Sequence, residues 1–181
     1  MIAAQTTGTA TREDRFVDTI IKRCQNDKGL AARLRRADNP ATEYQSWEVL
    51  ASLGIDLEKE YERLPFVVLA AAIAKSKTDS NGSMNLGRAL AACYEEGRES
   101  DQAKARLRRV LACQDLSELC RVLRSVFALI NSKTGQPLDF ARLLKQLRRF
   151  AYEDARNHIK AQWAQEFYGQ PVKTLDEEVG A

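Results

Sequence analysis

Histidine occurs once in this chain, at position 158, in a charged stretch with no serine or cysteine motif beside it. A nucleophilic triad therefore has no base to work with, and His158 reads as a surface residue. The four cysteines, Cys24, Cys93, Cys113 and Cys120, form no CxxC pair and have no histidine cluster near them. That pattern excludes the common zinc and thioredoxin-like motifs. Cys113 and Cys120 instead fall on apolar stripes, as small buried hydrophobes do in a reducing cytosol. Neither GxGxxG nor GxxxxGK[ST] occurs, so no nucleotide cofactor is implied, and the isolated Gly87 is better placed to permit close helix packing. The carboxylate pairs Glu95-Glu96, Glu153-Asp154 and Glu177-Glu178 are adjacent in sequence. Neighbours on a helix diverge by about 100°, which does not build a shared acid/base site. The expectation is a protein without enzymatic activity, metal, cofactor or small-molecule substrate.

Long apolar runs are also missing. The most hydrophobic stretch, 66–74, spans about 14 Å as a helix, short of a bilayer core. The N-terminal residues show no basic region followed by an apolar one, so a cytoplasmic location and no membrane contact are expected. With only four prolines and nine glycines in 181 residues, and no strand-length alternation, the fold class is all-α, two packed helical bundles without a sheet.

What is present is helical period. Phe16, Val17, Ile20, Ile21 and Cys24 mark a first helix over 12–26. Residues 29–40 hold a short one with Leu30 and Leu34 inward and Arg33, Arg35 and Arg36 outward, closed at Asn39-Pro40. Thr42 is the expected cap of a third, ending near Gly54, and Pro65 the expected opening of an apolar helix, FVVLAAAIAK. The segment SKTDSNGSMN, 76–85, has no period and reads as an exposed loop; Lys75 just before it and Lys77 within it could touch nucleic acid, but a solvated loop is the favoured reading. Helix resumes over 86–96. Gly97 marks the expected boundary between an N-terminal helical domain, 1–97, and a C-terminal bundle, 98–181, with a disordered acidic tail.

The chain is centred on 102–131, QAKARLRRVLACQDLSELCRVLRSVFALIN. Asp115 is a natural N-cap with Glu118 at capping-box spacing, and Leu116, Leu119, Cys120, Leu123, Val126, Phe127 and Ile130 recur on one face. Two further amphipathic helices follow, over 138–150 and about 154–168. The net charge is only +3, yet 102–149 holds 11 basic residues against three acidic ones. Such a block suggests a polyanionic partner. Guanidinium groups bind phosphate oxygens bidentately, and Arg88, Arg106, Arg109, Arg121, Arg124, Arg142, Lys145 and Arg149 are candidates for a stripe crossing several helices. Few aromatics interleave them, so contact would be with the nucleic-acid backbone, without sequence preference.

In order, GLAARLRRADNP, SMNLGRALAA, ARLRRVLACQDLSELCRVLRSVFALI, PLDFARLLKQLRRF and AQWAQEFYG resemble the small subunit of the type I-E CRISPR surveillance complex, the CasB family of Cascade, over about residues 15–168. Relatives often have tryptophan after the Leu-Asp of the fourth segment; this chain has Phe140. The resemblance implies a non-catalytic, all-helical subunit, present as two copies in an RNA-guided complex with backbone and large subunits. It also implies basic surfaces that contact the crRNA–DNA R-loop and its displaced single-stranded DNA. On this sequence the candidates are Arg106, Arg109, Arg121, Arg124, Lys145 and Arg149, then Arg33, Arg35, Arg36 and Arg88. A helical adaptor that binds only protein, with no salt-dependent affinity for single-stranded DNA, is the alternative.

Overall fold

A computed structural model of the chain describes residues 9–169. The acidic tail expected to be disordered lies outside them. Within that range the fold is all-α. Nine α-helices and two short 3₁₀ turns are present, and the one β-type contact is an isolated bridge between Met84 and Leu138.

Helix α1, Arg12–Asn26, opens on a full capping box in which the Thr11 hydroxyl accepts from the Asp14 N–H and Asp14 accepts from the Thr11 N–H. Asp27 closes α1 through its backbone N–H and caps α2, Lys28–Arg36, through its carboxylate. The expected Thr42 cap is not the one used. Asn39 accepts from the Ala41 N–H and begins a 3₁₀ turn, Pro40–Ser46, that runs into α3, Trp47–Ser52, while the Thr42 hydroxyl donates back to the Arg36 carbonyl.

Helix α4, Glu60–Ser76, is the centre of the packing. Every residue from Leu64 to Ala74 is buried, and α1, α2, α7 and α8 all pack on it. It starts five residues before Pro65, the expected opening. The early turn EYERL is charged and gives no apolar period, and Pro65, inside the helix, forgoes the bond an N–H would have made to the Tyr61 carbonyl and crowds that carbonyl with its ring.

The segment 76–85 is tied down more firmly than its composition suggests. The Asn81 side chain accepts from the backbone N–H groups of Phe140 and Ala141 and donates to Asp139, so it helps cap a helix 59 residues away. Gly82 packs so tightly there that an added Cβ would lie 1.9 Å from the Pro137 carbonyl oxygen.

Helices α5, Leu86–Ala92, and α9, Glu153–Tyr168, pack together through Gly87, where a Cβ would come within 2.4 Å of the Trp163 carbonyl oxygen. Gly87 thus serves the close packing read from the sequence. Helix α6, Asp101–Ala112, leads to α7, Leu116–Lys133, through the expected Asp115 cap. Glu118 reaches back to the Gln114 N–H, one residue short of a reciprocal box. Helix α8, Phe140–Arg149, completes the set. Its buried Gln146 accepts from the Trp163 indole at 3.0 Å, and Arg148 pairs with the buried Glu13 of α1. Phe66 of α4 sits under both Arg12 and Arg148, whose guanidinium carbons lie 5.4 and 5.5 Å from its ring centre.

Candidate nucleic-acid interface

Phosphate contacts require cations that are exposed and not already neutralised. Of the residues singled out from sequence on α5 to α8, six, Arg88, Arg106, Arg109, Arg121, Lys145 and Arg149, have no ion-pair partner among the described residues. All are exposed except Arg106, which is half-buried.

Three candidates converge. Arg142, Lys145 and Arg149 lie three and four residues apart on α8, the spacing of one helical face, and line a shallow groove of about 200 Å³ against α9. The opposite wall is Ala155, His158, Ile159 and Gln162 of α9. Arg142 also donates to Glu166 at 2.7 Å. Burial raises the Glu166 carboxyl above its ordinary value, opposed by the Gly87 N–H and by the charges of Arg142 and Arg88. At the α1 side, Asp14 is held below its usual range mainly by the Thr11 hydroxyl, with a smaller contribution from Lys145. Arg106 and Arg109 occupy successive turns of α6, and Arg121 projects from α7.

A second set gathers around Asp38. Lys75, in the last turn of α4, pairs with Asp38, and the Arg124 Nε lies 3.7 Å from the same carboxylate. The Arg124 side chain is only 14% exposed, so it sits inward of the cationic face on which the helical period places it. Arg35, Arg36 and Lys75 line a shallow depression with Asp38. Arg35 donates to the Ala74 carbonyl at 3.4 Å, Arg36 to Gln45 at 3.5 Å, and Arg33 pairs loosely with Glu48 at 3.8 Å. These cations are committed at least in part to the fold.

Sequence reasoning missed Asp38 as the hub of this set, and missed the α9 wall of the groove. Ala155, His158, Ile159 and Gln162 follow the spacing of one helical face, a signal that was there to find. Burial pushes the Cys120 thiol up to about 12, which makes it inert as a nucleophile. Among the described residues no group of three or more His, Cys, Asp or Glu side chains is placed to hold a metal ion, and no helix is long and apolar enough to cross a membrane.

Residues 30–168 match the profile of the family described as CRISPR-associated protein Cse2. No curated protein matches the chain. Among solved structures, CasB of M. ruber is 26% identical with a TM-score of 0.71, the match covering 88% of this chain and 93% of that one. CasB from Thermus thermophilus is 28% identical with a TM-score of 0.67, over 87% and 98%. A chain of a CRISPR RNA-guided surveillance complex shares the fold at 24% identity and a TM-score of 0.64, over 86% and 90%.

Proposed function

Because the chain belongs to the Cse2/CasB family of small subunits of type I-E CRISPR Cascade complexes, we propose that its exposed cations hold the displaced single-stranded DNA of the R-loop. The observation that carries this reading is the groove in which the unpaired Lys145 and Arg149 stand on one face of α8, beside an Arg142 that is shared with Glu166. Exchange of a DNA duplex for a crRNA–DNA heteroduplex is nearly balanced in free energy, so a few phosphate contacts to the freed strand suffice to tip it. The subunit makes no bond and breaks none. It shifts an equilibrium by binding one product of strand exchange, beside the backbone and large subunits and a second copy of itself.

The groove sets the kind of recognition. Its walls offer cations, the imidazole of His158 and the amide of Gln162, and no Phe, Tyr or Trp ring on which a run of bases would stack. Contact is therefore with phosphates and without sequence preference. Isolated protein engaging about three or four phosphates binds single-stranded DNA with a log-log salt slope of roughly −2 to −3, and the slope flattens by about 0.7 for each contact removed. The test is the Lys145→Glu, Arg149→Glu double variant. Its single-stranded DNA affinity and slope fall, and Cascade carrying it loses its R-loop sooner at normal subunit stoichiometry. An unchanged slope and lifetime would refute the assignment.

A further inference from the structure

Of the large aromatics exposed among the described residues, three fall within 44–61: Tyr44 at 59%, Trp47 at 39% and Tyr61 at 54% exposed. Tyr44 and Trp47 are linked by more than proximity in sequence. The Trp47 N–H closes the 3₁₀ turn onto the Tyr44 carbonyl, and residues three apart in such a turn eclipse, so both rings stand on the same side. The indole is held in place. The Arg63 guanidinium carbon lies 5.7 Å from its ring centre, and Arg63 is itself fixed by a 2.7 Å ion pair to Glu43 in which both side chains are mostly buried. One side of the indole is thus covered while a good part of the ring still faces solvent.

Tryptophan, tyrosine and arginine in one ordered patch are the residues that carry most of the binding energy at protein interfaces, and a preordered patch loses little entropy on docking. The charge around this one is negative. Residues 43–63 hold six acidic side chains and two basic; Glu43, Asp56 and Glu62 are ion-paired, which leaves Glu48, Glu58 and Glu60 in excess. Glu48, next to Trp47 in sequence, is 84% exposed and meets Arg33 only at 3.8 Å. A polyanion is repelled here. A lysine or arginine finds both an uncovered aromatic ring and a carboxylate.

We propose that the Tyr44–Trp47 face docks a lysine- or arginine-bearing segment of a different protein subunit of the complex, apart from any surface that holds nucleic acid. The cation of that segment sits over the uncovered face of the ring and pairs with Glu48, while Arg63 and Glu43 hold the platform.

The test uses full-length subunit with the photo-crosslinker p-benzoylphenylalanine in place of Tyr44, assembled into Cascade and irradiated, with the crosslinked peptides identified by mass spectrometry. The expected product joins position 44 to a basic peptide of another subunit. A crosslink to a second copy of this chain, a crosslink to nucleic acid, or no crosslink in intact complex would each overturn the proposal. In parallel, Trp47→Ala and Glu48→Arg each weaken incorporation into the complex about tenfold or more, at unchanged circular dichroism. Normal incorporation of Glu48→Arg, whose side chain is too exposed to matter for folding, would also overturn it. Neither variant changes affinity for single-stranded DNA, so this proposal and the nucleic-acid reading fail on separate measurements.

Discussion

Lys77 is the one non-glycine residue with positive φ among the described residues, at 53°, where it ends α4 in the left-handed conformation that helices favour glycine to adopt. An L-residue gives up about 1 to 2 kcal/mol there, and glycine brings back part of that as chain entropy in the unfolded state. Lys77→Gly is therefore expected to stabilise the protein by about 0.5 kcal/mol, read as a higher urea midpoint at unchanged m. A lower midpoint would show that the lysine side chain contributes a contact worth more than the backbone strain. At this scale much was legible in the sequence. Gly87 announced close packing because a lone glycine inside an apolar period has few other uses, and Asp115 announced a cap because its partner lies three residues away. Lys77 was not legible, because which residue takes the left-handed position depends on where the helix stops.

Helices were legible as periods and less so at their ends. The apolar stripes of α1, α7 and α8 are written in three- and four-residue steps, whereas α4 hides its charged first turn and the 3₁₀ turn before α3 carries no stripe. The segment 76–85 shows why. Asn81-Gly82 spells a turn, but what Asn81 does depends on a helix start 59 residues later. Its side-chain oxygen accepts from Phe140 N–H at 2.8 Å and Ala141 N–H at 3.4 Å, while Asp139 accepts from Arg142 N–H at 3.0 Å. Asn81→Ala removes the first two acceptor contacts and is expected to cost about 1 to 2 kcal/mol. Hydrogen exchange checks it locally: Phe140 and Ala141 amides should exchange faster while the middle of α7 keeps its protection. Since α8 carries Arg142, Lys145 and Arg149, the same variant should weaken single-stranded DNA binding modestly without removing any cation.

Across the whole molecule, the surplus of positive charge was legible but its sorting into free and committed cations was not. Helical period places Arg121 and Arg124 on the same face, three residues apart, and the fold separates them: Arg121 is exposed and Arg124 is drawn toward Asp38, which is brought there by α2 packing on α4 and α4 on α7. No local pattern could have named Asp38 as the partner. The consequence is a prediction with two opposite arms. Arg124→Glu sets a second carboxylate beside Asp38 in a site where both side chains are at most 20% exposed, leaving Lys75 as the closest paired cation. Loss of a buried ion-pair partner costs about 3 kcal/mol, so this variant should unfold at clearly lower urea and be deficient in assembly for that reason alone. Lys145→Glu with Arg149→Glu changes exposed, unpaired side chains and should shift stability by no more than about 0.5 kcal/mol each, while flattening the salt dependence of DNA binding. Urea melts and salt titrations run on the two proteins side by side give the answer. If Arg124→Glu melts with the wild type and instead abolishes the salt slope, Arg124 reaches phosphate and the division between the two cationic sets is wrong.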